Sequence, residues 1–265
     1  MAMMKNITIG QYIPGESIVH RLDPRTKILT TFLFIALLFL VDSFIGYGLS
    51  ALLLLLMVVL SQIPVKYVLR GIRPLMFIII LTLCLHFFMT DGRVIFQIWF
   101  LKLTHEGLIR GLMMVSRLIL LIIGSSLLTL TTSPILLTDG IESLLKPFKV
   151  IGVPAHELAM MMTIALRFIP TLVEETEKIM KAQMARGADF ESGNIFQRAK
   201  SLIPILIPLF VSAFRRADEL AIAMEARGYR GGEGRTRFRV LKFTYQDALT
   251  LVLVTTFVIL VGIFF

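Results

Sequence analysis

Cysteine and charge are both scarce in this chain. Only 17% of its 265 residues are charged, and Cys84 is its one cysteine. A lone thiol excludes a disulfide framework or a thiolate metal cluster within the chain. Set in an apolar run, Cys84 is expected to pack as a small hydrophobe. A Gly-rich loop ending in Gly-Lys-Ser or Gly-Lys-Thr to cradle nucleotide phosphates is also missing, so the chain is not expected to be an ATPase in its own right. The histidines, His20, His86, His105 and His156, are scattered and form no His-Glu-x-x-His pattern. The apolar runs hold no cluster of Ser, His, Asp or Glu, which argues against an intramembrane hydrolase or a lipid-modifying enzyme.

Apolar surface is what the chain has in excess. At 56% hydrophobic residues and a mean hydropathy of +0.83, it needs a bilayer for part of its solvent. A membrane helix takes roughly 20 mainly apolar residues, and five runs come near that length: Ile28 to Val41, Phe44 to Ser61, Ile72 to Met89, Gly107 to Leu130 and Ala248 to Phe265. Only Asp42 and Ser43 separate the first two, which predicts a tight helical hairpin. No cleavable signal is expected, because a polar lead with Pro14, Gly15, Asp23 and Pro24 precedes the first run. Between Met89 and Gly107, the segment Val94 to Leu101 is too short to span. It reads as an external loop or hairpin at the headgroups, with Trp99 at the interface.

Basic residues near membrane helix ends stay in the cytoplasm. Arg21, Arg25 and Lys27 precede the first run, and Lys66, Arg70 and Arg73 lie between the second and third. The opposite loops carry only Asp42 in one case and a balanced Asp91, Arg93, Lys102 and Glu106 in the other. The N-terminus is therefore expected inside and the C-terminus outside. The net charge of +9 follows from basic cytoplasmic loops and needs no nucleic acid as partner. Arg230, Arg235, Arg237, Arg239 and Lys242 are expected to anchor the last span against anionic lipid.

More than half of the charged residues fall between Ser133 and Gln246, so this block meets a different environment. From Ala155 to Gly187, apolar Leu158, Met161, Met162, Ala165, Ile169, Leu172 and Val173 recur at helical spacing. Glu174 with Lys178, and Glu177 with Lys181, are i,i+4 pairs suited to an exposed face. Pro170 is expected to break or bend this stretch. A second helical unit starts near Asn194, runs through apolar Ser201 to Phe214 with Pro204 and Pro208, and continues charged to Gly228. Its apolar part is short for a span, which favours a helix lying against the membrane or against other helices.

The two halves of this block echo one another. Phe168-Ile-Pro-Thr-Leu172 leads to Met184-Ala-Arg-Gly187, and Ile207-Pro-Leu-Phe210 leads to Glu225-Ala-Arg-Gly228. Glycine after a charged helix is a favoured stop because it enters the left-handed region without a Cβ penalty. Arg186 and Arg227 then sit in a last helical turn, where a cation suits the helix dipole. Capping alone accounts for one such motif. Two copies in equivalent places also offer two guanidinium forks for carboxylates on two similar partners. Ala185 and Ala226 leave room beside each fork. Met160 to Met162, Met180, Met184 and Met224 add adaptable apolar contact or plain core filling.

With these paired motifs, the Tyr12-Ile-Pro-Gly-Glu-Ser17 and His20-Arg-Leu-Asp-Pro-Arg-Thr-Lys27 segments, and four spans followed by a charged helical block and a final span, the chain resembles the transmembrane T components of energy-coupling factor (ECF) vitamin transporters. The resemblance covers essentially the whole sequence. It implies an all-α integral membrane protein of about five transmembrane helices with a cytoplasmic block of amphipathic coupling helices. The corresponding regions are 1–131, 132–245 and 246–265. It further implies a non-catalytic scaffold in a prokaryotic cell membrane whose coupling helices lie across two ABC-type ATPase subunits. ATP and Mg2+ would be bound by those subunits and no cofactor by this chain. A small membrane S component would capture the vitamin or similar micronutrient. By motif position, Ala185, Arg186, Gly187, Ala226, Arg227 and Gly228 would be the ATPase contacts.

The competing reading is a self-contained secondary transporter, which places ionisable groups near the bilayer midplane. Its candidates are His86, Arg110 and Arg117, none with an evident carboxylate partner in the spans. Arg110 would snorkel from a helix end and Arg117 would pair with another subunit. Gly107 and Gly111 form a Gly-x-x-x-Gly pair that lets another helix approach closely.

Overall fold

The computed structural model describes residues 12–98, 101–190, 194–231 and 240–265. They form two compact units, one of residues up to 144 together with those from 240 onward, the other of residues 145–239.

The first unit opens with a short helix α1 (Ile18–Arg21) and continues as α2 (Pro24–Leu40). Asp23 starts α2 because its side chain accepts from the Arg25 backbone N–H, and Pro24 supplies the fixed backbone angle that suits a first turn. Its 17 residues reach about 26 Å, slightly less than a hydrocarbon core of roughly 30 Å. Helices α3 (Phe44–Ser61), α4 (Val65–Arg70) and α5 (Met76–Met89) follow. Strands β1 (Val94–Ile98) and β2 (Leu101–Thr104) then pair antiparallel, so the segment read as a loop or hairpin is a hairpin. Trp99 and residues 232–239, with three of the expected lipid-anchoring arginines, lie outside the described residues. Helices α6 (His105–Thr131), α7 (Pro134–Leu145) and, at the far end of the chain, α11 (Tyr245–Phe264) complete the unit.

Among the described residues, five segments are long and apolar enough to cross a membrane: α3, Val65–Met89, α6, α11 and Ala155–Ala185. The chain is a multi-pass membrane protein. Two differences from the expected runs stand out. The first run forms only the 17-residue α2, while the amphipathic stretch from Ala155 qualifies because its charged residues crowd into its second half, leaving a longer apolar window before them.

The turn at Asp42 and Ser43 is tight, as expected, but α2 and α3 do not make their main packing against each other. Helix α2 packs chiefly on α11 and α6, and α3 on α6. Leu37, Leu38 and Val41 are fully enclosed there with Phe34, Tyr47, Leu54, Leu120, Val254, Val258 and Val261. Gly107 and Gly111 do admit a close helix, and it is α5 of the same chain. A Cβ on Gly107 would stand 2.5 Å from the His86 carbonyl oxygen, and one on Gly111 would stand 3.3 Å from the His86 Cβ. Cys84 is exposed on α5, not packed as a core residue. It shares a helix face with exposed Phe77, Leu81 and Phe88, and a soft apolar thiol suits a lipid-facing surface.

The second unit holds α8 (Ala155–Ala185), α9 (Ile195–Ser201) and α10 (Ile203–Ala226). Pro170 does not break α8, nor Pro208 α10; each lies inside a continuous helix. The helix conformation survives one missing hydrogen bond when flanking turns supply the rest. Asn194 and Gln197 form a capping box that starts α9.

Candidate functional site: two capped helix ends

Helices α8 and α10 run antiparallel. Gln183 near the end of α8 donates through Nε2 to the Pro204 carbonyl at the start of α10 (3.5 Å). Two turns earlier on α8, Glu175 accepts from the Ser212 hydroxyl and from Arg216 (3.2 Å to the guanidinium), both further along α10. This cross-helix cluster replaces the expected pairs within α8. Neither Glu174 with Lys178 nor Glu177 with Lys181 makes an ion pair, because holding two long exposed side chains together gains little in water.

Both helices end in the same way. At the end of α8 the Gly187 N–H donates to Met184 O (2.9 Å) and the Ala188 N–H to Gln183 O (3.0 Å). At the end of α10 the Gly228 N–H donates to Glu225 O (2.8 Å) and the Tyr229 N–H to Met224 O (3.0 Å). Each is a Schellman cap, with the glycine in the left-handed region at φ +88° for Gly187 and +73° for Gly228. The glycines are required by backbone conformation and not by crowding, since a Cβ on either would meet nothing within 4 Å. Arg186 and Arg227 are the C-cap residues themselves.

Ala185, Arg186, Gly187, Ala226, Arg227 and Gly228 are all exposed. Neither arginine makes an ion pair with a described residue. The two forks are thus fixed at the backbone and free at the guanidinium. The antiparallel arrangement carries them to opposite ends of the pair: Arg227 lines an open groove of about 540 Å³ with Met160 and Ile164 from the first turns of α8, whereas Arg186 closes that helix. At 1.5 Å per residue the two ends lie about 35 Å apart along α8. Sequence repetition had placed the motifs in equivalent positions; the separation comes from the fold.

The residues of the secondary-transport reading do not converge. His86 is half-buried near the end of α5, its backbone against Gly107, and Arg110 is exposed on α6. Arg117 is paired within the chain, which corrects the expectation of a partner in another subunit. Its guanidinium contacts Asp42 Oδ1 (3.1 Å), Val41 O (3.1 Å) and the Tyr47 hydroxyl (2.8 Å). The Phe39 and Tyr47 rings flank it. Asp42 had been read only as an isolated loop charge. The fold brings it to Arg117 because α3 packs on α6.

The N-terminal segment proves to be a structural junction. Asp247 of α11, 1% exposed, accepts from the Asp23 N–H (2.7 Å) and from the Thr244 N–H (2.8 Å). Arg25 grips both Asp23 oxygens at 3.1 Å and reaches Ser143 Oγ and Leu241 O. The buried Lys27 ammonium donates to the carbonyls of His20 and Thr131, each at 3.0 Å. Burial holds the His20 imidazole below its ordinary value of 6.5, so the neutral ring can accept from the Ser17 hydroxyl (2.6 Å) and donate to Ile13 O (3.1 Å). A buried Asp in the first turn of an otherwise apolar last helix was the sequence signal for this junction.

A family model described as CbiQ, cobalt transport protein, matches residues 15–238. The chain belongs to this family. It is 66% identical over 244 residues to the energy-coupling factor transporter transmembrane protein EcfT of Thermosediminibacter oceani, covering 92% of each chain. It is 59% identical to the protein of the same name from Acidaminococcus fermentans, over 97% of each chain. To that of Bacillus subtilis it is 52% identical, over 99% of each. Both the junction segment from Gly15 to Lys27 and the two capped arginine ends fall inside the matched region. The family's description is one of transport, and the relatives' name marks each of them as a transmembrane protein of an energy-coupling factor transporter.

Proposed function

We propose that this chain is the non-catalytic membrane scaffold of an ECF-type importer. It couples ATP hydrolysis by two ABC-type ATPase subunits to movement of a small membrane S component that carries a vitamin or similar micronutrient. The observation that carries this reading is the pair of identical caps that hold two exposed, unpaired arginines about 35 Å apart on one antiparallel helix pair. Two like forks at such a spacing suit two like partners and do not suit a single small ligand. Arg186 and Arg227 are the carboxylate contacts, one per ATPase, with Ala185, Gly187, Ala226 and Gly228 shaping each end. A rigid helix pair anchored at both ends transmits a change in the separation of the two ATPases.

On this reading the chain binds no cofactor; ATP and Mg2+ belong to the ATPases. The helix pair faces the cytoplasm of a prokaryotic cell, with the N-terminus on the same side, a reading supported by the basic residues before the first span and after the second. The cargo is recognised by the S component.

The test is affinity purification of the full chain in detergent from its native membrane, wild type against the Arg186→Glu, Arg227→Glu double variant. Wild type should bring ABC-type ATPases and a small membrane protein, and the variant should lose the ATPases, since reversal adds repulsion to a lost contact. A chain that purifies alone and still moves a solute in liposomes would mark a self-contained secondary transporter and defeat the proposal.

A further inference from the structure

The chain leaves the first unit after Leu144 and re-enters it at Val240, so the helices α8 to α10 are joined to that unit by two covalent crossings. One side chain of the first unit holds both crossing points. The Arg25 guanidinium donates through Nη1 to Ser143 Oγ and through Nη2 to Leu241 O, each at 3.3 Å. Ser143 stands just before the exit and Leu241 just after the return. The guanidinium is itself fixed. Its Nε and Nη2 donate to the two Asp23 oxygens, each at 3.1 Å, and that carboxylate is 1% exposed. The Asp23 N–H in turn donates to Asp247 of α11. Helix α7, which ends at the first crossing, also comes close to this turn: a Cβ on Gly140 would stand 3.0 Å from Pro24 Cβ. A lysine would satisfy the charge of Asp23, but one ammonium could not serve Asp23 and both crossings together. The planar fork does so with four hydrogen bonds to three separate stretches of chain.

We infer that Arg25 is a positioning residue for energy coupling: it ties both crossings to the first turn of α2, so that a displacement of α8 to α10 reaches the membrane unit as one movement and is not absorbed separately at two loose connections. The inference rests on the proposed function, because it names the point at which the scaffold passes on the movement of the ATPases. Coupling between distant sites is carried by rigid elements joined through hydrogen-bond and salt-bridge networks, and an attachment that yields passes on nothing. Arg25 lies in the first turn of α2, and α2 packs on α11 and α6. The tie therefore leads into the enclosed core of the membrane unit.

The test uses the full chain purified in detergent with the ATPase subunits that accompany it, and follows hydrogen exchange by mass spectrometry with and without MgATP and vanadate. Arg25→Lys keeps a cation beside Asp23, and Ser143→Ala keeps that ion pair whole while cutting one tie. Without nucleotide, Arg25→Lys should speed exchange about tenfold in residues 140–146 and 240–248 together, and Ser143→Ala in residues 140–146 alone. With MgATP and vanadate, wild type should change exchange in α8 and α10 and also in residues 20–30. Arg25→Lys should keep the first change and lose the second. A nucleotide response that reaches residues 20–30 in Arg25→Lys as fully as in wild type would overturn the inference and leave the scaffold reading standing. Exchange raised alike throughout the membrane unit in both variants would do the same, since it assigns Arg25 to stability alone. Should Arg25→Lys not fold, Ser143→Ala decides: wild-type exchange in residues 140–146 would overturn the tie. A wild-type chain that brings no ATPase would instead overturn the scaffold reading, and the inference with it.

Discussion

The two units bury very different amounts of what they are made of. In the membrane unit Leu37, Leu38 and Val41 are fully enclosed, and even charged Asp23, Lys27 and Asp247 are nearly inaccessible. In the α8–α10 unit, Ala155, Ala159 and Ile205 are the buried apolar residues of the described helices, while Met161, Ile207, Phe210, Val211, Phe214 and Ile222 are more than half exposed. The first unit pairs its buried Asp23, Lys27 and Asp247 internally and turns plain apolar side chains outward, as a bilayer demands. The second leaves apolar rows uncovered beside charged ones, and exposed patches of this kind mark contact surfaces. One unit is held by its own junction; the other leaves apolar surface for a bilayer or a partner to cover.

That contrast breaks most readily at Asp247. Replacing it by alanine removes the acceptor for the Asp23 and Thr244 N–H groups, opens the capping box of α11 and takes negative charge away from the buried Lys27 ammonium. Breaking a buried charge cluster from one side costs about 3–5 kcal/mol. Asp247→Ala should therefore abolish a monodisperse protein in detergent, read by size-exclusion chromatography and thermal unfolding. Substitutions of exposed Arg186 or Arg227 should leave both measurements unchanged. A stable Asp247→Ala protein would show that helix packing, and not the junction, holds the unit.

A smaller effect is expected at Gly107. An alanine there would place its Cβ 2.5 Å from the His86 carbonyl oxygen and 2.7 Å from Thr104 Oγ1. A backbone carbonyl in a packed helix cannot step aside, so α5 and α6 must separate, at a cost of about 1–3 kcal/mol. Gly48 provides the control, since a Cβ on it meets nothing within 4 Å. Gly107→Ala should lower the unfolding temperature and Gly48→Ala should leave it unchanged or raise it slightly. Equal behaviour of the two would deny that close α5–α6 packing matters.

The elements were legible in the sequence where length and period decide them. The runs at Phe44, Gly107 and Ala248, the helical block with its stops at Gly187 and Gly228, and a hairpin after Met89 all follow from local pattern. What stayed hidden depends on which distant parts meet. Nothing local says that Asp42 reaches Arg117, that Asp247 caps the start of α2, or that α2 prefers α11 to its neighbour α3. Of the two outcomes expected at Pro170, a break and a bend, the break does not occur, because the turns on either side carry the helix past one lost hydrogen bond. At the candidate site the residue types and the cap geometry were both readable. The antiparallel pairing that sets the arginines apart, and the groove beside Arg227, were not.

The finest distinction lies between the two caps. Alanine at Gly187 or Gly228 would meet no neighbour, so its whole cost is conformational, on the order of 1 kcal/mol for a left-handed L-residue. The left-handed well for residues with a side chain is centred near φ +57°. Gly228 at +73° lies closer to it than Gly187 at +88°. Gly187→Ala should accordingly unwind its helix end more than Gly228→Ala does, and asparagine should be better tolerated than alanine at both. Hydrogen exchange of the last turns of α8 and α10 would measure this directly, because fraying exposes the amides of Gly187 and Ala188 or of Gly228 and Tyr229. Since each arginine is the cap residue, a frayed end also releases its guanidinium from a fixed direction. ATPase retention should then fall in the same order as protection. Retention that ignores fraying would mean that the arginines act through charge alone, and the matched caps would be helix stops rather than part of the interface.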